Sequence, residues 1–247
     1  MKSSSIANRL ILLVIVPLLA LVILAGILIT QSFTSYVNSV QSNQLMSIAV
    51  SAGNLVHTLQ VERGATAGFL QSKGQKFADV LPGMRKQTDV QINDFKAHID
   101  SMDKNSLPVL LAVIKDAQTL LEGVNDIRQG SSQLALSLPE EVAFYSKTIE
   151  ALIKTMSVGI EFNHDATISK KMIAYLSFVR AKENAGQERA LVTAAFTSNK
   201  VATARYRTIL KKFNQQDAFL NDFNSIAGLD EKACMVDPSV KTEISLV

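Results

Sequence analysis

Twenty consecutive residues near the N-terminus, Leu10 to Ile29 (LILLVIVPLLALVILAGILI), carry no charge. At ~1.5 Å per residue, a helix of that length spans the ~30 Å hydrocarbon core of a bilayer. A secretory signal has a shorter apolar region, about 7 to 15 residues, that ends at a small-x-small cleavage site. No clean site of that kind follows the run before Gln31, so residues 10–29 read as a retained transmembrane helix. Pro17 within the run is tolerated in a membrane helix. Lys2 and Arg9 precede the run, whereas Gln31 to Gln60 contain neither Lys nor Arg. The positive-inside rule then expects residues 1–9 in the cytoplasm and residues 30–247 outside. The best later apolar stretch, LPVLLAVI at 107–114, is too short and is followed by Lys115 and Asp116, so a single crossing is expected.

The remaining composition excludes several classes. Lys and Arg number 25 against 22 Asp and Glu, a net charge of +3 that is too balanced for a nucleic-acid-binding surface. One cysteine, Cys234, permits neither an internal disulfide framework nor a multi-cysteine zinc site. His57, His98 and His164 are scattered without ligand spacing, so no metal or other cofactor is expected. Nothing pairs a nucleophile with a base or forms a phosphate loop, and the chain does not read as an enzyme.

Helix punctuation is dense beyond residue 30. A first long helix should run from the membrane to about Ser72, where SKGQK breaks it, and a second from about Pro82 to Lys104. Ser106 and Pro108 open a third that should reach Gln129 to Ser131, and Ser137 with Pro139, Glu140 and Glu141 opens a fourth. Asp165 caps a fifth reaching about Ser198, and a sixth should run from about Lys200 to Ala227 and stop at Gly228. Asp237 and Pro238 resemble one more helix start near the end of the chain. No period-2 pattern appears, so the expected fold is all-α, with an N-terminal transmembrane helix followed by up-and-down helical bundling.

Two of these helices carry an arginine where a packed face is expected. With Leu59 at zero on a wheel of ~100° per residue, Thr66 falls near −20°, Leu55 near −40° and Arg63 near +40°, while Glu62 sits near −60°, at the edge of the arc. On the fifth helix, Tyr175, Lys182 and Thr193 share a face with Arg189. A buried guanidinium cannot stay uncompensated, since that costs several kcal/mol. It can snorkel to the rim, pair with a carboxylate (Arg63 with Glu188, Arg189 with Glu62), or be held ready for a small anion clamped between the helices. Thr66 and Thr193 would add hydroxyl donors one turn on.

Leu59-Gln60-x-Glu62-Arg63-Gly64, followed about 120 residues later by Lys182-Glu183-x-x-Gly186-x-Glu188-Arg189-Ala190, resembles the nitrate- and nitrite-sensing (NIT) domain. The resemblance covers about residues 45 to 247. It implies two four-helix bundles, the second open to being incomplete here, with nitrate or nitrite held by motif arginines. Arg63 and Arg189 inherit that role by motif position; Thr66, Thr193, Lys182 and Tyr175 are added from the wheel. Combined with the apolar run, it leads to the expectation of an extracytoplasmic sensor for chemotaxis or two-component signalling, anchored by a single pass in a bacterial inner membrane with residues 30–247 periplasmic. Such a sensor works as a homodimer, has no nucleic-acid partner, and meets signalling proteins only through an output module elsewhere. The rival expectation is an anchored helical scaffold whose arginines and glutamates pair structurally and bind no anion.

Overall fold

The computed structural model describes residues 6–102, 107–198, 203–229 and 232. Seven helices follow one another: α1 (Ile6–Gln71), α2 (Leu81–Asp100), α3 (Pro108–Glu122), α4 (Val124–Ser132), α5 (Leu138–Glu161), α6 (Ala166–Ser198) and α7 (Thr203–Ile226). Among the described residues there is no strand, and the fold is all-α as expected.

The helix boundaries follow local chemistry. α1 ends in a Schellman closure in which Lys73 takes the left-handed φ of 54° and the Gly74 amide donates to the Phe69 carbonyl at 2.9 Å. α5 begins with a capping box: the Ser137 side chain accepts from the backbone of the first turn, and the Glu140 side chain reaches back to the Ser137 amide at 3.0 Å. α6 is capped by Asp165 Oδ1, which accepts from the Thr167 and Ile168 amides at 2.8 and 3.0 Å. The third helix expected as one piece is two, α3 and α4, divided at Gly123. Glycine is a poor helix former, and a single Gly inside an otherwise periodic segment gives too weak a signal to be read as a break. The expected Ser106 cap and the Asp237–Pro238 helix start lie outside the described residues.

The second half of α1 packs with α2, α3 and α5 as an up-and-down four-helix bundle, α4 extending α3. Its core takes Leu55, Val56 and Leu59 from α1, Phe95 from α2, Leu110 and Ile114 from α3, and Tyr145, Ile149 and Leu152 from α5, all essentially without solvent exposure. Helix α6 then lies against both α1 and α5, adding Met172, Leu176 and Val179 to the same core. On its other side α6 meets α7 in an antiparallel pair, with Phe178 against Phe223 and Lys212 Nζ donating to Asn184 Oδ1. Of the second bundle implied by the resemblance, this pair is what the described residues contain.

The apolar run forms the beginning of α1. Its described side chains, from Leu13 to Ile29, are exposed apart from a half-buried Ala25. By length and composition this part of α1 is apolar enough to cross a membrane, a criterion that leader sequences and core helices also meet.

Being the first and the fifth legs of an up-and-down arrangement with α3 and α4 in line, α1 and α6 run parallel. Their side-chain contacts recur at nearly constant sequence separation: Gln60 with Glu183 at 123, Arg63 with Glu183 at 120, and His57 with Lys182 at 125. This register brings the two signature motifs side by side.

Candidate functional site

Helix α1 presents Glu62 and Arg63 to different neighbours. Glu62, which the wheel puts at the edge of the buried arc, has no solvent exposure. It accepts from Arg128 Nε and Nη2 at 2.7 and 2.9 Å and from the Tyr145 hydroxyl at 2.8 Å, with Arg85 Nε 4.0 Å away. Arg128 also donates to Asp89 Oδ1 at 2.5 Å and to the Arg85 carbonyl at 3.1 Å. Burial pushes the Glu62 carboxyl up, but its donors, led by Arg128, outweigh burial and hold it below its ordinary pKa. Burial likewise opposes the charge on Arg128, and its bonds to Glu62 and Asp89 more than restore it. This network ties α1, α2, α4 and α5 together.

Arg63 is also buried, with 7% exposure, and faces α6. Its Nη1 donates to Glu183 Oε1 at 2.7 Å and to Ser146 Oγ at 2.9 Å, while Nη2 donates to Glu183 Oε2 at 3.2 Å. The same carboxylate receives Gln60 Nε2 on Oε2 at 2.9 Å and Gln187 Nε2 on Oε1 at 2.6 Å. Gly186 makes room for this: a Cβ there would stand 3.1 Å from Arg63 Nη2.

Arg189 is the counterpart on α6, and it differs. It is exposed and has no hydrogen-bond or ion-pair partner among the described residues. Partial burial and the like charge of Arg63 both lower its pKa. The reciprocal pairing with Glu188 and Glu62 is therefore absent: Glu62 is held by Arg128, and Glu183 rather than Glu188 meets Arg63.

Of the other residues chosen from the sequence, Thr66 lies one turn beyond Arg63, fully buried, and its hydroxyl has no partner among the described residues. The α1–α6 register sets Arg189 at about its level. Lys182 Nζ donates instead to His57 Nδ1 at 2.5 Å, which requires the imidazole proton on Nε2. Tyr175 crosses α1 much nearer its membrane-like end, its ring against Gly53, where no side chain obstructs it; burial raises its phenol pKa. Thr193 is exposed on the outward part of α6. Arg63 and Thr66 thus follow one another on the buried face of α1, with Arg189 at a similar level on α6 by register, and Lys182 and Tyr175 lie elsewhere along the same helix interface.

Several residues at this site escape sequence reasoning. Gln60 and Glu183 stand inside the two motifs, and nothing in their spacing says that they bond each other. Ser146 and Arg128 come from other helices. Glu141, on α5 one turn before Tyr145, has no exposure, and neither of its carboxylate oxygens has a partner among the described residues. Burial pushes its pKa up to about 8, with Arg63 pulling it down and Glu62 pushing it further up. The antiparallel passage of α5 against α1 puts it opposite Thr66. Among the described residues no cluster of His, Cys, Asp and Glu could hold a metal ion.

A sequence profile described as nitrate and nitrite sensing matches residues 54–245. The nitrate regulatory protein of Klebsiella oxytoca is 26% identical over 190 residues, 76% of this chain and 48% of that protein. The solved structure of the NasR transcription antiterminator has a TM-score of 0.77 at 22% identity, covering 89% of this chain and 62% of that one, a likeness of fold. The chain spans about half the length of the curated relative it matches.

These relatives correct the receptor reading. Both are regulators, one a transcription antiterminator, so the single-pass inner-membrane, periplasm-facing sensor with a chemotaxis or two-component output is overturned. The anchored scaffold and the exclusion of any nucleic-acid connection fall with it. The physical reasons are plain. An apolar helix of sufficient length does not by itself fix a location. A near-neutral net charge describes this chain's own surface, whereas a regulator's output can reside in the part of the protein outside the match. The profile covers most of the chain, including both signature motifs, and the chain belongs to the nitrate- and nitrite-sensing (NIT) family.

Proposed function

We propose that this chain is the sensory module of a regulator, binding nitrate or nitrite between α1 and α6 through Arg63 and Arg189. The observation that carries the reading is the charge imbalance at the motif pair. Arg63 and Arg189 are like charges on facing helices, Arg63 helping to lower the pKa of Arg189, and Glu183, the carboxylate that meets Arg63, makes no bond to Arg189 among the described residues. A guanidinium fork matches a planar oxyanion, and each charge-assisted bond is worth ~1.5 to 3 kcal/mol. The unpartnered Thr66 hydroxyl, at the level of Arg189, supplies a neutral donor to the same anion.

Occupancy changes how α1 and α6 are held together, and that change is the signal. Interface helix shifts of ~1 to 2 Å are typical of such transitions. The output proposed for the whole regulator is transcriptional, in keeping with the relatives. Calorimetric titration of nitrate, nitrite and chloride into the purified chain tests the sensing step. Nitrate or nitrite should bind saturably and more tightly than chloride, with affinity reduced about tenfold or more in Arg189→Lys, which keeps the charge and loses the fork. A folded chain that binds neither nitrate nor nitrite contradicts the proposal.

A further inference from the structure

We propose that the Glu183 carboxylate is a built-in occupant of the anion cradle, displaced when nitrate or nitrite binds, and that Gln60 and Gln187 belong to that cradle as direct ligand donors. The inference rests on the anion-sensing reading above and concerns how that site is opened. Four donor contacts from two helices converge on one planar O–C–O group: Arg63 Nη1 and Gln187 Nε2 on Oε1, Arg63 Nη2 and Gln60 Nε2 on Oε2. These fill the roughly four lone-pair directions of a carboxylate. Glu183 itself is 4% exposed, so the cradle is dry as well as complete.

Nitrate and nitrite share the features the cradle recognises: one negative charge, planarity, and two oxygens flanking a single central atom. Glu183 occupies the Nη1–Nη2 fork of Arg63, and Nη1 is further divided with Ser146. An anion that takes this fork exchanges with Glu183. The exchange has a mechanical consequence. Glu183 belongs to α6, whereas Arg63 and Gln60 belong to α1, so an internal cross-link between the helices gives way to a diffusible bridge. Glu183 acts as an intramolecular competitor at high effective concentration, which lowers apparent affinity by the fraction of time the cradle is vacant.

Calorimetry with nitrate on the full chain, at fixed ionic strength, tests this in wild type, Glu183→Asp and Glu183→Gln, with thermal melts to establish folding. The aspartate retreats by one methylene, and the glutamine loses the charge. Affinity should rise in the order wild type, Asp, Gln, by about tenfold or more at the end. Gln187→Leu should weaken binding about tenfold. Folded Glu183 variants that bind nitrate no better than wild type overturn the displacement, leaving Glu183 a structural counterion. Unchanged affinity in Gln187→Leu overturns the cradle assignment. If Glu183→Gln does not fold, Glu183→Asp against wild type decides alone. Failure of wild type and every variant to bind nitrate or nitrite defeats the sensing reading, and this inference with it; wild-type binding without a gain defeats only the inference.

Discussion

Glu62 on α1 and Glu141 on α5 are both without solvent exposure, and their surroundings drive them in opposite directions. Glu62 has three strong donors and stays ionised; Glu141 has none and is pushed up to about 8. The consequence for Glu62 is dependence on Arg128. Removing one member of a buried ion pair costs ~3 to 5 kcal/mol, because the other charge is left uncompensated. Urea unfolding of Arg128→Met should show a loss of that order, and Glu62→Gln combined with Arg128→Met should lose less than Arg128→Met alone. An equal loss in the two would show that the pair is not what holds these helices. For Glu141 the consequence is a pH slope. The folded chain keeps a proton that the unfolded chain releases above about 4.5, so the stability this group contributes is full below that pH, falls as pH rises, and is gone above about 8. Melts between pH 5 and 9 should show wild type losing stability relative to Glu141→Gln across this window. Parallel pH profiles would mean that Glu141 does not titrate there.

At the scale of helices, the parallel passage of α1 and α6 makes the site, and it depends on close approach at Gly53, where the Tyr175 ring lies against the α1 backbone. Gly53→Ala should therefore destabilise the chain by ~1 to 3 kcal/mol through overpacking, and a neutral or stabilising effect would show that the helices are not so closely set. Helix boundaries were largely legible because caps are local: Ser137 with Glu140, Asp165 and the SKGQK turn each announce themselves within four residues. The pairing partner of Arg63 was not legible, because it depends on the axial register of two distant helices. The echo of Glu62-Arg63 in Glu188-Arg189 suggests reciprocal pairing; the observed register falls about one turn short of it, which sets Glu183 and Gly186 beside Arg63. Burial of Arg63 followed from the wheel, whereas full burial of Glu62 required α2, α4 and α5 to close over it. Arg128 gave no signal at all, lying on a short helix whose separation from α3 was itself unread.

On the scale of the whole molecule, the motif pair carried more information than composition did. The two signatures pointed to the family that the profile match shows, while the apolar run and the charge balance pointed to a membrane receptor that the regulatory relatives overturn. Motifs encode a constellation, and constellations are specific; a hydropathy window encodes only length and apolarity. In the proposed sensor Arg63 and Arg189, from parallel helices, hold the same anion. A double-mutant cycle for nitrate affinity, comparing wild type, Arg63→Lys, Arg189→Lys and the double variant by calorimetry, tests this most directly. Residues sharing one ligand should couple by ~1 to 3 kcal/mol, so the double variant loses much less than the two singles together. Losses that add to within ~0.5 kcal/mol, or singles that bind nitrate as wild type does, would contradict the shared site.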